Sequence, residues 1–160
     1  MINPDYETVV RQSFARQTFM TALGAVLERV APGEVDVSVP FSPRHTQQNG
    51  FLHAGVITSV ADSANGYAAF TLAPPGYDVL AVEFKINLLR PATAQRFLAC
   101  ARVLRAGRTL TVSQAEVFGL DENGGARREL IATMTSTIIL RPIHPPHAAG
   151  PPATLATPPP

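Results

Sequence analysis

Residues 53–72 are the stretch that most limits what this chain can fold into. Val56, Ile57, Val60, Ala61, Ala64, Tyr67, Ala68 and Phe70 recur at helical spacing but wrap most of the circumference instead of one stripe. A helix apolar on that many sides has to be buried, and its small residues let neighbours come close. In its middle stands one carboxylate, Asp62. Burying an unpaired carboxylate is costly, so the position demands either partners or a task.

The cover for such a helix is written on both sides of it. "EVDVSVPFS" alternates through Val35, Val37, Val39 and Phe41 and reads as a half-buried strand, with Pro40 marking its end or an edge. Downstream, "YDVLAVEFKINLL", "QRFLACARVLRAG", "RTLTVSQAEVFGLD" and "RRELIATMTSTIILR" are long strands joined by short, glycine-containing turns at "RAGRT" and "ENGG". Helices do not alternate with strands, which disfavours a doubly wound sheet. The expected class is α+β: a curved five-stranded antiparallel sheet wrapped on one long central helix. A further amphipathic helix is expected from about Ser13 to Arg29, stopped by Pro32 and Gly33. The edges of such a sheet invite pairing with a second copy.

Composition excludes several functions. Of 160 residues, 16% are charged and the formal net charge is +1, so there is no electrostatic footprint for nucleic acid. No apolar run is long enough to cross a membrane, and the N-terminus lacks the apolar core of a secretory signal. The cytoplasm follows as the default location. Cys100 stands alone, in a strand, and reads as a core filler. His45 and His53 have no cysteine or carboxylate at ligand spacing around them, so no metal is expected. Residues 1–141 read as one domain. Residues 142–160 form a Pro/Ala-rich tail that cannot build a core and is expected to be disordered.

The order and spacing of "QQNGFLHAGVITSVADSANGYAA", "AVEFKINLLRPA" and "RVLRAGRTLTVSQAEVF" resemble the hotdog-fold acyl-CoA thioesterases of the phenylacetate-degradation, PaaI-like type. The likeness runs from the first strand to about Arg141. It implies a helix held in a curled antiparallel sheet. It also implies a homodimer with its sites at the subunit interface, often paired into a homotetramer, and hydrolysis of an acyl-CoA thioester. Coenzyme A enters as part of the substrate, and no separate cofactor is implied.

Thioester hydrolysis needs a polarised carbonyl, an activated water or a nucleophile, and a grip on the substrate. Exposed main-chain N–H groups at a helix start favour developing negative charge, which makes Ala54 and Gly55 candidates for the first role. In the resembled family this segment usually reads His-Gly-Gly, where here it is "HAG". Asp62 follows about two helical turns later on roughly the same side, as general base or as nucleophile. The structural alternative is an aspartate bonded to Ser59, Ser63 or the main chain at the dimer seam. Where the family commonly carries an asparagine that orients water or substrate, Gln47 stands, with Asn49 as runner-up. Ala81 replaces a hydroxyl residue found in some relatives. His53 is expected to brace the loop before the helix, with general acid as the other reading, and His45 to be a loop or pocket residue. Coenzyme A carries phosphates, so Arg90, Arg105 and Arg108, with Thr109 beside them, are candidate contacts; each arginine reads equally well as a solvated turn or strand end.

Three rivals stand beside this reading. A Ser–His–Asp triad from Ser59 or Ser63 with His53 and Asp62 would crowd one helical stretch and lacks a nucleophile elbow. A hotdog hydratase or dehydratase would place an aspartate–histidine pair at the mouth of the central helix, where the loop here carries His45 and His53. A non-catalytic acyl-CoA-binding protein would tolerate the departures at Gln47, Ala54 and Ala81.

Overall fold

In the computed structural model, which describes residues 2–120 and 128–143, two short helices lead into the sheet. Helix α1 is Tyr6–Ala15 and α2 is Thr18–Leu23. Gly24, at φ 70°, ends α2 in the left-handed conformation that favours glycine, and strand β1 follows at Val26–Ala31. The single helix expected over Ser13–Arg29 is therefore two helices and a strand. Pro32-Gly33 does not stop a helix. It forms the two-residue turn of a hairpin, with Ala31 opposite Glu34 and Gly33 at φ 75°. Strand β2, Glu34–Pro40, carries the alternation read from the sequence: Val35, Val37 and Val39 are fully buried.

Helix α3, Ala54–Phe70, crosses the molecule and delivers the chain to the opposite edge of the sheet, where β3 is Tyr77–Leu88. Strands β4 (Arg96–Ala106), β5 (Leu110–Leu120) and β6 (Arg128–Pro142) complete it. The order is β1-β2-β4-β5-β6-β3, with every neighbouring pair antiparallel. Among the described residues the sheet thus has six strands instead of five, because β1 was hidden in the expected helix. Strand β6 runs one residue past the expected domain end, pairing Pro142 with Tyr77. The tail from residue 144 on and the "ENGG" turn lie outside the described residues.

One face of the sheet closes on α3. Phe97, Ala99, Ala115, Val117, Ala132 and Met134 point inward and are buried against Val56, Ile57, Val60, Ala61, Ala64 and Ala68. The alanines let the helix lie close to the strands. Cys100 corrects an expectation. It faces the outer surface, paired with Asp36 and Glu116 across the sheet, and is half-buried beside Arg29 and Arg102 instead of filling the core. No helix among the described residues is long and apolar enough to cross a membrane.

Candidate active site

The start of α3 is built by a tight loop. Main-chain bonds from Gln47 N to Phe51 O (2.9 Å), from Gly50 N to Gln47 O (3.0 Å) and from His53 N to His45 O (2.8 Å) fold residues 45–53 back on themselves. Gly50, at φ 84°, closes the turn. His53 then caps the helix: its Nδ1 accepts the Gly55 N–H at 2.8 Å. This is the bracing role, and it occupies one of the two expected carbonyl-polarising amides. The Ala54 N–H has no acceptor among the described residues and lies beside a small pocket of about 180 Å³. That pocket gathers Gln47, Ala54, Ile57 and Arg90. Gln47 Oε1 accepts the Asn49 N–H, so its amide group keeps donor capacity. Arg90 is already engaged, with Nη1 on Leu130 O at 2.9 Å and Nε on Glu129 at 3.1 Å.

Asp62 sits elsewhere. Eight residues along α3 from Ala54, about 12 Å by helical rise, it lines a larger cleft of about 410 Å³. Ser63, Gly66, Tyr67 and Phe70 of α3 share that wall, Ser13, Arg16 and Gln17 cover it, and Asp78–Ala81 of β3 form its side. The carboxylate is half-buried and has no hydrogen bond or ion pair with any described residue. Loss of hydration pushes its pKa up from the ordinary aspartate value. The structural alternative at Ser59 is answered by geometry: Ser59 Oγ donates to Gly55 O at 2.7 Å, not to Asp62. The same bond, together with the capping role of His53, takes both groups out of a Ser59–His53–Asp62 triad.

The remaining candidates scatter. His45 is half-buried with its Nδ1 unpartnered, and Asn49 is exposed. Arg105, near the end of β4, and Arg108 and Thr109, in the β4–β5 turn, are exposed and line neither cavity. Sequence reasoning misses Ser13, Arg16 and Gln17, because their spacing fits one long amphipathic helix. Gly24 was the available signal that the helix ends early. Among the described residues no group of three His, Cys, Asp or Glu side chains could hold a metal ion.

One strand beside the cleft is unlike the others. Leu80, Val82, Phe84 and Leu88 of the edge strand β3 are each about half exposed, at 45–57%. A row of exposed apolar side chains along an unpaired edge is what natural sheets avoid unless another chain covers it.

Known proteins place this architecture. Residues 49–126 match the thioesterase superfamily. A solved thioesterase family protein from Silicibacter pomeroyi is 46% identical, with a TM-score of 0.82 covering 86% of this chain and 98% of its own. The medium/long-chain acyl-CoA thioesterase YigI of Salmonella typhimurium is 25% identical over 119 residues, 65% of this chain and 77% of that protein. The PaaI protein of the E. coli phenylacetic acid degradation operon, 19% identical, shares the fold at a TM-score of 0.75 over 90% of this chain and 97% of its own.

Proposed function

We propose, from the premise that this chain belongs to the thioesterase superfamily and is a hotdog-fold thioester hydrolase, that its substrates are acyl-CoA thioesters and that Asp62 drives their hydrolysis. The observation that carries this reading is a partner-free, half-buried carboxylate in the wall of a cleft, beside an uncovered strand edge. A carboxylate held out of water without partners is ready to take a proton, and the folded state would not retain it for stability.

In this reading two copies join along β3, and the cleft of one copy meets the helix start of the other. That union brings together what one chain keeps about 12 Å apart. The thioester carbonyl oxygen accepts the main-chain N–H of Ala54, with Gln47 holding the substrate or the attacking water. Asp62 takes a proton from water as the hydroxyl adds to the carbonyl carbon. The C–O double bond re-forms, the C–S bond breaks, and the departing thiolate of coenzyme A receives the proton. The products are the free acid and coenzyme A. Direct attack by the Asp62 carboxylate, through a mixed anhydride that water then cleaves, is the variant mechanism. Arg90, which lines the smaller pocket, is the proposed contact for the phosphates, in exchange for its surface bond to Glu129, and Arg105, Arg108, Thr109, His45 and Asn49 stand as outer contacts. Pairing of dimers into a tetramer, a cytoplasmic location and independence from any metal or added cofactor belong to the same reading.

The test is release of free thiol from a panel of acyl-CoA thioesters, with Asp62→Asn as control. Turnover that disappears in the variant supports the reading. Tight acyl-CoA binding without turnover by the unaltered chain would make it a binding protein instead.

A further inference from the structure

The lining of the Asp62 cleft includes a side chain that the hydrolytic chemistry does not use. Tyr67 lies five residues beyond Asp62 on α3, about 7.5 Å along the helix axis. It is only 6% exposed, yet it lines the cleft. Its ring is held edge-on by Phe14, at a centroid distance of 5.7 Å, and tilted against Phe70 at 6.4 Å. Its phenol oxygen accepts from Gln17 Nε2 at 2.9 Å and lies 3.3 Å from Ser13 Oγ. With Gln17 donating inward, the phenol proton is free to donate to Ser13. Both partners come from α1 and the α1–α2 junction, upstream of the helix and sheet that form the core.

This latch ties a peripheral segment across the cleft. The N-terminal segment is otherwise anchored by fully buried Val10, by Met20 and by the Asn3 N–H bond to Ala73 O. At about 410 Å³ the cleft is at the small end of ligand pockets, which span about 300–1,000 Å³.

We propose that Tyr67, latched by Gln17 and Ser13, is the end wall of the acyl-binding cleft and sets the longest acyl chain that the protein accepts. The proposal rests on the hydrolase reading above and deepens it: short and medium straight-chain acyl groups fit, and longer ones meet the phenol ring. An extra methylene with room to be buried gains about fourfold in transition-state binding, so moving the wall has a readable effect.

The test is kcat/KM across a straight-chain acyl-CoA series from acetyl to palmitoyl, measured as a ratio of long to short substrates. Tyr67→Leu and Gln17→Ala, which remove or unlatch the wall, should raise that ratio about tenfold. Gly66→Leu, which adds bulk inside the cleft at a position where a Cβ meets nothing within 4 Å and leaves the latch intact, should lower it. Opposite movements by variants of one small cluster support the proposal. If every variant scales the whole series by a common factor, the wall has no part in selection and the proposal is overturned while the hydrolase reading stands. If the unaltered chain releases no thiol from any member, the hydrolase reading itself fails, and the proposal falls with it. Should Tyr67→Leu not fold, Gln17→Ala and Gly66→Leu still decide the question.

Discussion

His53 Nδ1 accepts the Gly55 N–H at 2.8 Å, and a Cβ placed on Gly55 would lie 2.9 Å from that same nitrogen. The cap and the glycine therefore depend on each other: only a residue without a side chain lets the imidazole approach so closely. Gly55→Ala should push the ring aside and His53→Ala should delete the cap. His53→Ala is expected to cost about 1 kcal/mol of stability in urea melts, and Gly55→Ala less, because the higher helix propensity of alanine offsets part of the lost cap. His53→Asn, which supplies another capping oxygen, should recover most of it.

Asp62 is expected to show the opposite signs for stability and activity. Burial raises its pKa, so the folded state holds the proton more tightly than the unfolded one. Its contribution is favourable below the unfolded carboxylate pKa and is lost as pH rises through the raised folded value. Asp62→Asn should therefore melt higher than the unaltered chain at neutral pH, with the difference closing at low pH. As the proposed base, the same change should lower kcat by about 10²- to 10⁴-fold. The acid limb of the pH–rate profile should fall above the ordinary aspartate range. A variant that loses stability instead would show that the carboxylate has structural partners.

Asn65 is fully buried, three residues after Asp62, with Nδ2 donating to Ser136 Oγ at 3.1 Å and Oδ1 unpartnered. Ser136→Ala leaves a buried donor unmet and should destabilise by about 1–3 kcal/mol. Combining it with Asn65→Leu removes both polar groups and should recover part of that loss, a coupling that a double-mutant cycle in denaturant measures directly.

The exposed β3 row tests the assembly. Val82→Lys and Phe84→Glu place charges where a second copy is proposed to pair. Sedimentation should find a smaller species, and kcat/KM should drop on the order of 100-fold, because the groups that cooperate would no longer be held together. A monomer with full activity would show that one chain carries a complete site.

Much of the fold was legible because its signals are local. Val35, Val37 and Val39 announce a strand by period two, and the all-round apolar pattern from Val56 to Phe70 announces a buried helix; both periods are fixed by backbone geometry. The N-terminal region misled for the same reason. Val26, Leu27 and Val30 fit a helical stripe as well as a strand, and only pairing with β2 separates the two. A short apolar run does not carry its partner in its own pattern.

The candidate site divides along the same line. Asp62 drew attention from sequence by standing alone in an apolar helix, and His53 by preceding it. Only the tertiary structure decided that Asp62 lacks partners, that His53 spends its Nδ1 on Gly55, and that Ser13 and Gln17 reach Tyr67 across about fifty positions of chain. Periodicity and capping depend on neighbours a few residues away and are written in order along the chain. Which distant side chains share a cleft depends on how the sheet closes over the helix, and that follows from the packing of all the buried groups together.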